Sequence, residues 1–574
     1  MDIDTSSARI AYFSMEIAIK PMIPTYAGGL GVLAGDTLRA AADLGLPMVA
    51  VTLVHRKGYF SQRLDEHGNQ SESFVEWRIE EFFEKVDATT TITIENRPVK
   101  IGAWKYLVEG YEGDTVPVYL LDASSDENSP WDRTLTDYLY GGDRRYRLCQ
   151  ELILGKGGAE MLRSIGYSQI ERYHMNEGHS AFLTLNLLEQ KLAGRDLSST
   201  TEDDIKAVRE RCVFTTHTPV PAGHDRFSKA AVVQVLGETY AHALEAGECF
   251  QDGELNMTFL ALRGAGYING VAMEHGEISQ GMFPNYRISA ITNGVHAPTW
   301  VSAPFAELYD RHLPDWKRDH LYLRYAKGIP LHEIQMAHNE AKGKLIEFVH
   351  DRAGVAFLPD VMTIGFARRA AAYKRGDLLF ADADRLRAIA KNVGPVQLVF
   401  AGKAHPHDEG GKAIITHIIR AAKTLDGDIR FVYLANYDME MAQVLCSGVD
   451  LWLNTPLRPQ EASGTSGMKS ALNGVPSLSV LDGWWVEGHI EGVTGWAIGH
   501  GGDLPETTEA EEASLYGKLE EIVLPTFYGR PTAYAEIMRS AIAINGSFFT
   551  TRRMVQQYVT NAYFPHHNLK QNRT

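Results

Sequence analysis

Cysteine is scarce in this chain of 574 residues: Cys149, Cys212, Cys249 and Cys446 stand far apart, with no CxxC pair. Neither a disulfide framework nor a zinc ribbon can be built on that pattern, and a reducing cytosol fits it. No segment approaches the roughly 20 apolar residues of a membrane-spanning helix. The opening Met1-Asp2-Ile3-Asp4 is acidic where a secretory leader would be basic. Cations are outnumbered as well: 56 Lys and Arg against 72 Asp and Glu leave a formal charge of −16. Such a surface argues against a general nucleic-acid binder and against attachment to an anionic membrane. There is no short-period repeat and no low-complexity linker. What remains is globular composition, 44% apolar and 22% charged, in a chain too long for one ordinary domain, so the expectation is a cytoplasmic protein of two large domains.

The second half shows its organisation openly. Short β-rich runs occur at Val361–Ala367, Val396–Gly402, Ile429–Leu434, Val449–Asn454 and Val475–Leu481. Helical or loop sequence separates them, including Gly376–Asn392 with its leucine and alanine stripe. Strand, helix, strand at intervals of roughly 20–35 residues predicts βαβ units and a parallel sheet, whose ligands bind beyond the carboxyl ends of the strands. In the first half, Arg9–Phe13, Val49–Val54 and Cys212–Thr216 read as strands. Val32–Leu44 reads as a helix, and Asp143–Ile165 as a long helix broken at Gly155–Gly158. The stretch from about Thr526 reads as helix and tail, crossing back onto the first domain. The expected architecture is α/β: two doubly wound Rossmann-like domains facing a central cleft, divided as 1–294 and 295–574.

Four segments carry polar chemistry. Ala27-Gly28-Gly29-Leu30-Gly31 precedes a helix, where glycines admit a close ligand and free N–H groups suit an anion. A plain turn is the alternative. A dinucleotide fingerprint is only loosely matched, because Ala50-Val51 stands where its acidic ribose partner belongs. The segment 454–469 reads NTPLRPQEASGTSGMK. Its small, hydroxylated residues at a strand-to-helix junction suit a loop wrapping phosphate or sugar hydroxyls. Lys469 stands just inside the following helix, where the positive helix end and nearby cations would disfavour its protonation and help a Schiff base form. A flexible glycine-serine loop with a solvated lysine satisfies the same composition. Arg368, Arg369, Lys374 and Arg375 follow the run Val361–Ala367 and form either a phosphate clamp or a basic helix face. His217 ends the run Cys212–Thr216, just before Pro219 and Pro221. It either meets a substrate hydroxyl or is structural, and the same choice applies to His179. His405-Pro406-His407-Asp408-Glu409 lacks convincing metal-ligand spacing and reads as a polar loop.

Together these segments resemble the α-glucan phosphorylases (glycogen, starch and maltodextrin phosphorylases), in their compact prokaryotic form. Glu461–Lys469, EASGTSGMK, is similar to the family's EASGTGNMK cofactor loop. The resemblance implies a fold of glycosyltransferase-B type and a pyridoxal 5'-phosphate cofactor joined to Lys469. It places Thr465, Ser466, Gly467, Arg368 and Gly28 near the cofactor phosphate. It assigns Glu461, Ser463, Gly464, Glu177, Asn293 and Tyr437 to sugar contacts, and Gly29 and Leu30 to the loop over the substrate. His217 would lie near the scissile bond, and Arg369 with Lys374 would clamp the substrate phosphate. The implied reaction is reversible phosphorolysis of α-1,4-glucan ends by orthophosphate, giving α-glucose 1-phosphate with retention. A backbone carbonyl beyond His217 would support the positively charged carbon. A homodimer is the family expectation.

The chain departs from that pattern in places. Ala371 and Ala372 stand where the family has His-Glu, Ser466-Gly467 where it has Gly-Asn, Arg368 where it has lysine and Glu177 where it has aspartate. These bear on the substrate gate and on chain-length preference. Segments for phosphorylation and nucleotide control have no evident counterpart, so no such control is expected. Two alternatives remain at this stage. A nucleotide-sugar glucan synthase shares the fold and the GGLG loop, but needs no Schiff-base lysine and usually has lysine where this chain has Ala27. A catalytically silent glucan-binding homologue is the other.

Overall fold

A computed structural model describes residues 5–220, 223–501 and 506–564. The chain forms two compact units, Met1–Phe60 with Phe74–Ile291 and Met554–Thr574, and Ser61–Ser73 with Thr292–Arg553. The expected division at 294/295 is therefore altered in three ways. The chain changes unit at Ile291–Thr292, a short hairpin from the first half belongs to the second unit, and the chain from Met554 returns to the first.

The first unit is built on a nine-stranded sheet. From one edge its strands are Ser289–Ala290, Tyr267–Gly270, Cys212–Thr215, Arg172–Asn176, Ile10–Ser14, Met48–Leu53, Thr115–Asp122, Arg97–Glu109 and Glu84–Ile94. Neighbours run parallel as far as Thr115–Asp122, and the last two strands are antiparallel. Alternate residues of Ile10–Ser14 enter different cores: Ala11 and Phe13 one, Ile10 and Tyr12 the other. A sheet covered on both faces demands near-continuous apolar strands, which is why these runs stand out in the sequence. The antiparallel meander does not stand out, because Glu84–Ile94 alternates polar and apolar residues and buries few of them. Tyr558 and Tyr563, from the returning C-terminal segment, join the second of these cores. Their hydroxyls bond Thr215 Oγ1 at 3.0 Å and His174 Nδ1 at 2.6 Å. The Asp143–Ile165 helix is continuous. The expected break at Gly155–Gly158 is a π-helical turn, Ile153–Gly157, between Arg144–Leu152 and Gly158–Ile165.

The second unit carries a six-stranded, wholly parallel sheet. Its strands, in spatial order, are Arg430–Leu434, Val396–Ala401, Met362–Ala367, Leu451–Asn454, Ser477–Val480 and Gly495–Ile498. Counted along the chain that order is 3-2-1-4-5-6. The order reverses between Met362–Ala367 and Leu451–Asn454, and the crevice beyond their carboxyl ends is where such sheets bind ligands. The last strand, Gly495–Ile498, is too short and too near Gly492 and Gly499 to announce itself in the sequence. The basic stretch after Ala367 is not a helix. It runs extended to a single 3₁₀ turn at Ala372–Lys374, which removes the basic-helix-face alternative.

A buried ion cluster fixes the outer end of this sheet. Asp450 accepts from Lys342 Nζ at 2.6 Å, from the Thr363 N–H at 2.7 Å and from His338 Nε2 at 2.9 Å. Burial pushes the Asp450 carboxyl up, but Lys342 and His338 outweigh it and hold it below the usual range. Removing one partner of such a cluster strands a buried charge, at a cost of about 3–5 kcal/mol. Asp450→Ala is therefore predicted to lower the protection of the Met362–Ala367 amides in native-state hydrogen exchange by that amount. Protection within 1 kcal/mol of the parent would contradict the role given to the cluster.

Candidate active site

In the second unit the strand-end loops converge on Glu461. The chain leaves Asn454 and forms the loop that carries Glu461, Ser463, Gly464 and Thr465, then enters the short helix Ser466–Ala471. Glu461 is buried. Its Oε2 accepts from Arg368 Nη2 at 2.8 Å and from Lys374 Nζ in a very short contact. Burial pushes this carboxyl up, but the Arg368 and Lys374 charges more than reverse it and hold it at about 2. Two cations against one carboxylate leave the cluster net positive. Arg369, exposed, adds a third cation at the rim and shares a small recess with Arg368, Ala371, Lys374 and Tyr433. The cation placed beside Lys374 on Glu461 is thus Arg368, whereas Arg369 was the expected clamp partner.

The loop is braced from the next strand. Asp482 Oδ2 accepts the Glu461 N–H at 2.9 Å, and Ser463 O accepts the Trp484 N–H at 2.8 Å. Neither brace was anticipated, and Asp482-Gly483-Trp484 carries no motif that would announce it. Lys469 is buried, not solvated. Its Nζ lies 3.7 Å from the centre of the Trp300 ring. Ser466 Oγ accepts from Trp452 Nε1 at 3.1 Å. Ser463 Oγ is buried with no hydrogen-bond partner in the structure. A buried amine against an aromatic ring, an orphaned hydroxyl and Gly464 at φ +81° fit a phosphorylated aldehyde cofactor bound at Lys469. Asn293 lies in this unit, with its backbone oxygen held by Arg553 Nη2 at 2.8 Å and its buried Oδ1 unpartnered. Tyr437 is half-buried beyond the strand Arg430–Leu434, beside Asn436 at φ +62°.

In the first unit the strand order likewise reverses, between Ile10–Ser14 and Arg172–Asn176. The glycine loop follows the first of these and Glu177 the second. The helix begins at Gly29, not at Val32, so Gly29, Leu30 and Gly31 form its first turn, whose N–H groups have no partner within the helix. Glu16, buried, accepts the N–H groups of Ala27 at 2.6 Å and Gly28 at 3.1 Å. The Gly28 N–H, expected near the cofactor phosphate, bonds this carboxylate in the structure. A Cβ on Gly31 would stand 2.6 Å from Glu16 Oε2, whereas no protein atom lies within 4 Å of a Cβ at Gly28 or Gly29. Packing within the fold demands glycine at 31 but not at 28 and 29, which are open to a ligand.

Glu177, expected at a sugar contact, is also bonded to the protein. Its carboxylate accepts from the Gly178 N–H at 3.0 Å, the His217 N–H at 2.8 Å and Thr218 Oγ1 at 3.0 Å. Burial raises its pKa, but the adjoining His217 and His179 imidazoles and the Gly178 N–H together outweigh burial and lower it. Its backbone at φ +75°, ψ 167° lies in a region nearly reserved for glycine, at a cost of about 1–3 kcal/mol. That strain holds the carboxylate under the His217 loop. The His217 ring is oriented in turn. Ser14 Oγ donates to Glu16 O and so accepts from Asn176 Nδ2, which turns Asn176 Oδ1 toward His217 Nε2 at 2.7 Å. Nε2 therefore carries the proton and Nδ1 is left as an acceptor. Burial lowers the His217 pKa to about 4, so the ring is neutral at pH 7 and does not titrate there.

Nearby residues that the sequence did not single out form a cavity of about 490 Å³ lined by Arg144, Arg147, His224, Asp225, Arg226 and Phe227. Asp225 accepts from Arg147 Nη2 at 2.7 Å and lies 3.2 Å from His179 Nε2. Residues 221 and 222, which include the expected Pro221, lie outside the described residues.

A parallel-sheet α/β fold with a charged, phosphate-compatible strand-end cluster belongs to a glycosyl-transferring enzyme. The chain is a member of the carbohydrate phosphorylase family. The family's model matches residues 224–495. The chain is 38% identical to maltodextrin phosphorylase of Thermococcus litoralis, across 96% of this chain and 70% of that protein. It is 36% identical to glycogen phosphorylase of Mycobacterium tuberculosis, across 97% and 71%. With glycogen phosphorylase of Aquifex aeolicus it shares 34% identity, across 98% and 87%.

Burial has a consequence for pH. His55 and His275 are lowered to about 4 and His174 to about 3, each chiefly by burial, alongside His217. Unfolded histidine titrates near ~6.5. Between there and about 4 the unfolded chain binds more protons, so stability is full above pH ~6.5 and is lost as pH falls. Hydrogen exchange in the strands Ile10–Ser14 and Arg172–Asn176 is predicted to show lower stability at pH 5 than at pH 7. Equal stability at the two values would contradict neutral burial of these rings.

Proposed function

We propose that this chain catalyses the reversible phosphorolysis of α-1,4-glucan ends: a non-reducing glucosyl residue and orthophosphate give α-D-glucose 1-phosphate and a shortened glucan. The observation that carries the reading is the Arg368–Glu461–Lys374 cluster on the same loop as a buried Lys469. The names of the relatives point the same way, and favour phosphorolysis over a nucleotide-sugar synthase or a silent binding protein. The fold proposed is two Rossmann-like domains of glycosyltransferase-B type.

Lys469 would hold pyridoxal 5'-phosphate, with Thr465, Ser466, Gly467 and Arg368 on its phosphate side. Bound there, the cofactor supplies a second phosphate able to exchange protons with orthophosphate. Lys374 and the exposed Arg369 receive orthophosphate, and the net positive charge of the cluster offsets the crowding of anions. Glu461 keeps the two buried cations in fixed positions, so they need no rearrangement as charge develops. Ser463 Oγ and Asn293 Oδ1, both buried and unpartnered, would serve sugar hydroxyls, as would Gly464 and Tyr437. In the first unit, His217 accepts a glucosyl hydroxyl at Nδ1, and Gly29 and Leu30 offer first-turn N–H groups. Orthophosphate protonates the glycosidic oxygen, the C1–O bond breaks, and a phosphate oxygen bonds to C1 on the same face. No protein carboxylate is needed as nucleophile, unlike in paired-carboxylate glycosidases.

All four cysteines are buried and unpaired, and no helix among the described residues is long and apolar enough to cross a membrane. We extend the proposal to a cytoplasmic homodimer acting without nucleic-acid or membrane partners.

The test is an assay of maltooligosaccharides with orthophosphate, followed by measurement of glucose 1-phosphate. The expected outcome is phosphate-dependent production by the parent and a loss of at least about 100-fold in Lys374→Ala, with cofactor content retained. Normal phosphorolysis by that variant, or release of sugar only from nucleotide-linked donors, would sink the reading.

A further inference from the structure

The hairpin Ser61–Leu64 and Gln70–Ser73 belongs to the second unit although its chain neighbours on both sides belong to the first. Its tip and flank lie along the helix Glu409–Lys423: Thr416 Oγ1 donates to Gly68 O at 3.2 Å, Lys423 Nζ to Glu66 O at 2.6 Å, and Lys412 pairs with Glu72 at 3.3 Å. Two glutamines of its strands, Gln62 and Gln70, reach instead the loops at the carboxyl ends of the parallel strands.

Gln62 is 2% exposed, and each of its polar groups has a partner. Its N–H donates to Asn436 Oδ1 at 3.1 Å, and its Oε1 accepts the Asn436 N–H at 2.8 Å. Its Nε2 donates to Gly402 O at 3.0 Å and to Gln70 Oε1 at 2.8 Å. Gln70 in turn accepts the Ala404 N–H at 3.0 Å and donates to Ala404 O at 2.9 Å. The hairpin thus binds the loop after Val396–Ala401 and the loop after Arg430–Leu434 to one another. Both loops matter to the site. Gly402 packs so closely on Arg368 that a Cβ there would stand 1.9 Å from the Arg368 carbonyl oxygen. The Arg368 and Ala370 N–H groups donate to Ala401 O at 3.1 Å and Lys403 O at 2.9 Å. Asn436, held in a left-handed conformation, immediately precedes Tyr437.

We propose that Gln62 is a positioning residue for the phosphate-handling loop, setting Arg368–Ala370 through Gly402, with Asn436 holding Gln62 in place. The inference rests on the phosphorolysis reading above for the identity of the anion. Glutamine is the side chain that suits the position. Glutamate would oppose its oxygens to Gly402 O and Gln70 Oε1, leucine would leave buried amide groups without partners, and asparagine is one methylene too short to reach both loops. The Gln62 side chain is buried with its polar atoms bonded to the protein, and the backbone it sets carries the cations assigned to phosphate, so its removal should weaken orthophosphate binding more than glucan binding.

The experiment compares the cofactor-loaded parent with Gln62→Leu, and with Gln62→Asn should the leucine variant not fold. Orthophosphate binding is read by calorimetry, and turnover is measured with phosphate and maltooligosaccharide varied separately. A displacement of these loops by a fraction of an ångström is expected to weaken orthophosphate binding about tenfold while KM for the glucan stays within about twofold. Asn436→Ala should weaken orthophosphate binding by a similar factor, and for orthophosphate the double variant should be no worse than the weaker single one. Unchanged orthophosphate affinity in a folded variant, or equal loss for phosphate and glucan, overturns the inference. Absence of phosphorolysis by the parent, with orthophosphate binding still dependent on Gln62, would instead sink the proposed reaction and leave the positioning role standing.

Discussion

In the second unit a single carboxylate, Glu461, lies between Arg368 and Lys374 at the point where strand order reverses. Two cations brought this close would repel each other in a buried setting, and burying either alone would be costly. Glu461 removes both problems, and the surrounding structure is arranged to keep it there. Asp482 takes its N–H, Trp484 fastens the loop at Ser463, and the extended run after Ala367 delivers Arg368 from the neighbouring strand. The sheet topology supplies the location, and in the proposed function the cluster of two cations on one carboxylate makes it a place for an anion.

The first unit solves a related problem with neutral and anionic groups. Glu16 draws the Ala27 and Gly28 N–H groups inward, and Glu177 draws in those of Gly178 and His217. Each carboxylate is buried and answered by protein donors, so each holds a loop rather than a ligand. What is left for a ligand is what those loops present: the first turn of the helix Gly29–Asp43, and the Nδ1 of a histidine that burial keeps neutral. Both units therefore hold loops in place with buried carboxylates.

The strands covered on both faces were legible, since Met48–Leu53 and Val396–Ala401 are unbroken apolar runs that only a doubly covered parallel strand requires. The loop Glu461–Thr465 was legible as a strand-to-helix junction, because glycines and small hydroxylated residues follow an apolar run. The meander Glu84–Asp122, the short strand Gly495–Ile498 and the transfer of Ser61–Ser73 to the second unit were not, because weak alternation, shortness and long-range pairing leave no local pattern. Residue roles were the least legible. Glu177 and Gly28 read as ligand contacts in the sequence and proved to bond the protein. Gln62, Glu16 and Asp482 carried no signal at all, because a side chain that fixes a distant loop is marked only by the partner it finds in three dimensions.

The central claim is that Lys469 anchors the cofactor in a loop whose cations serve orthophosphate. Its most direct test is borohydride reduction of the purified protein followed by peptide mapping. The account predicts one pyridoxyl group, on the peptide that contains Lys469. A protein that performs phosphorolysis with that lysine unmodified, or with the pyridoxyl group on another lysine, would contradict it.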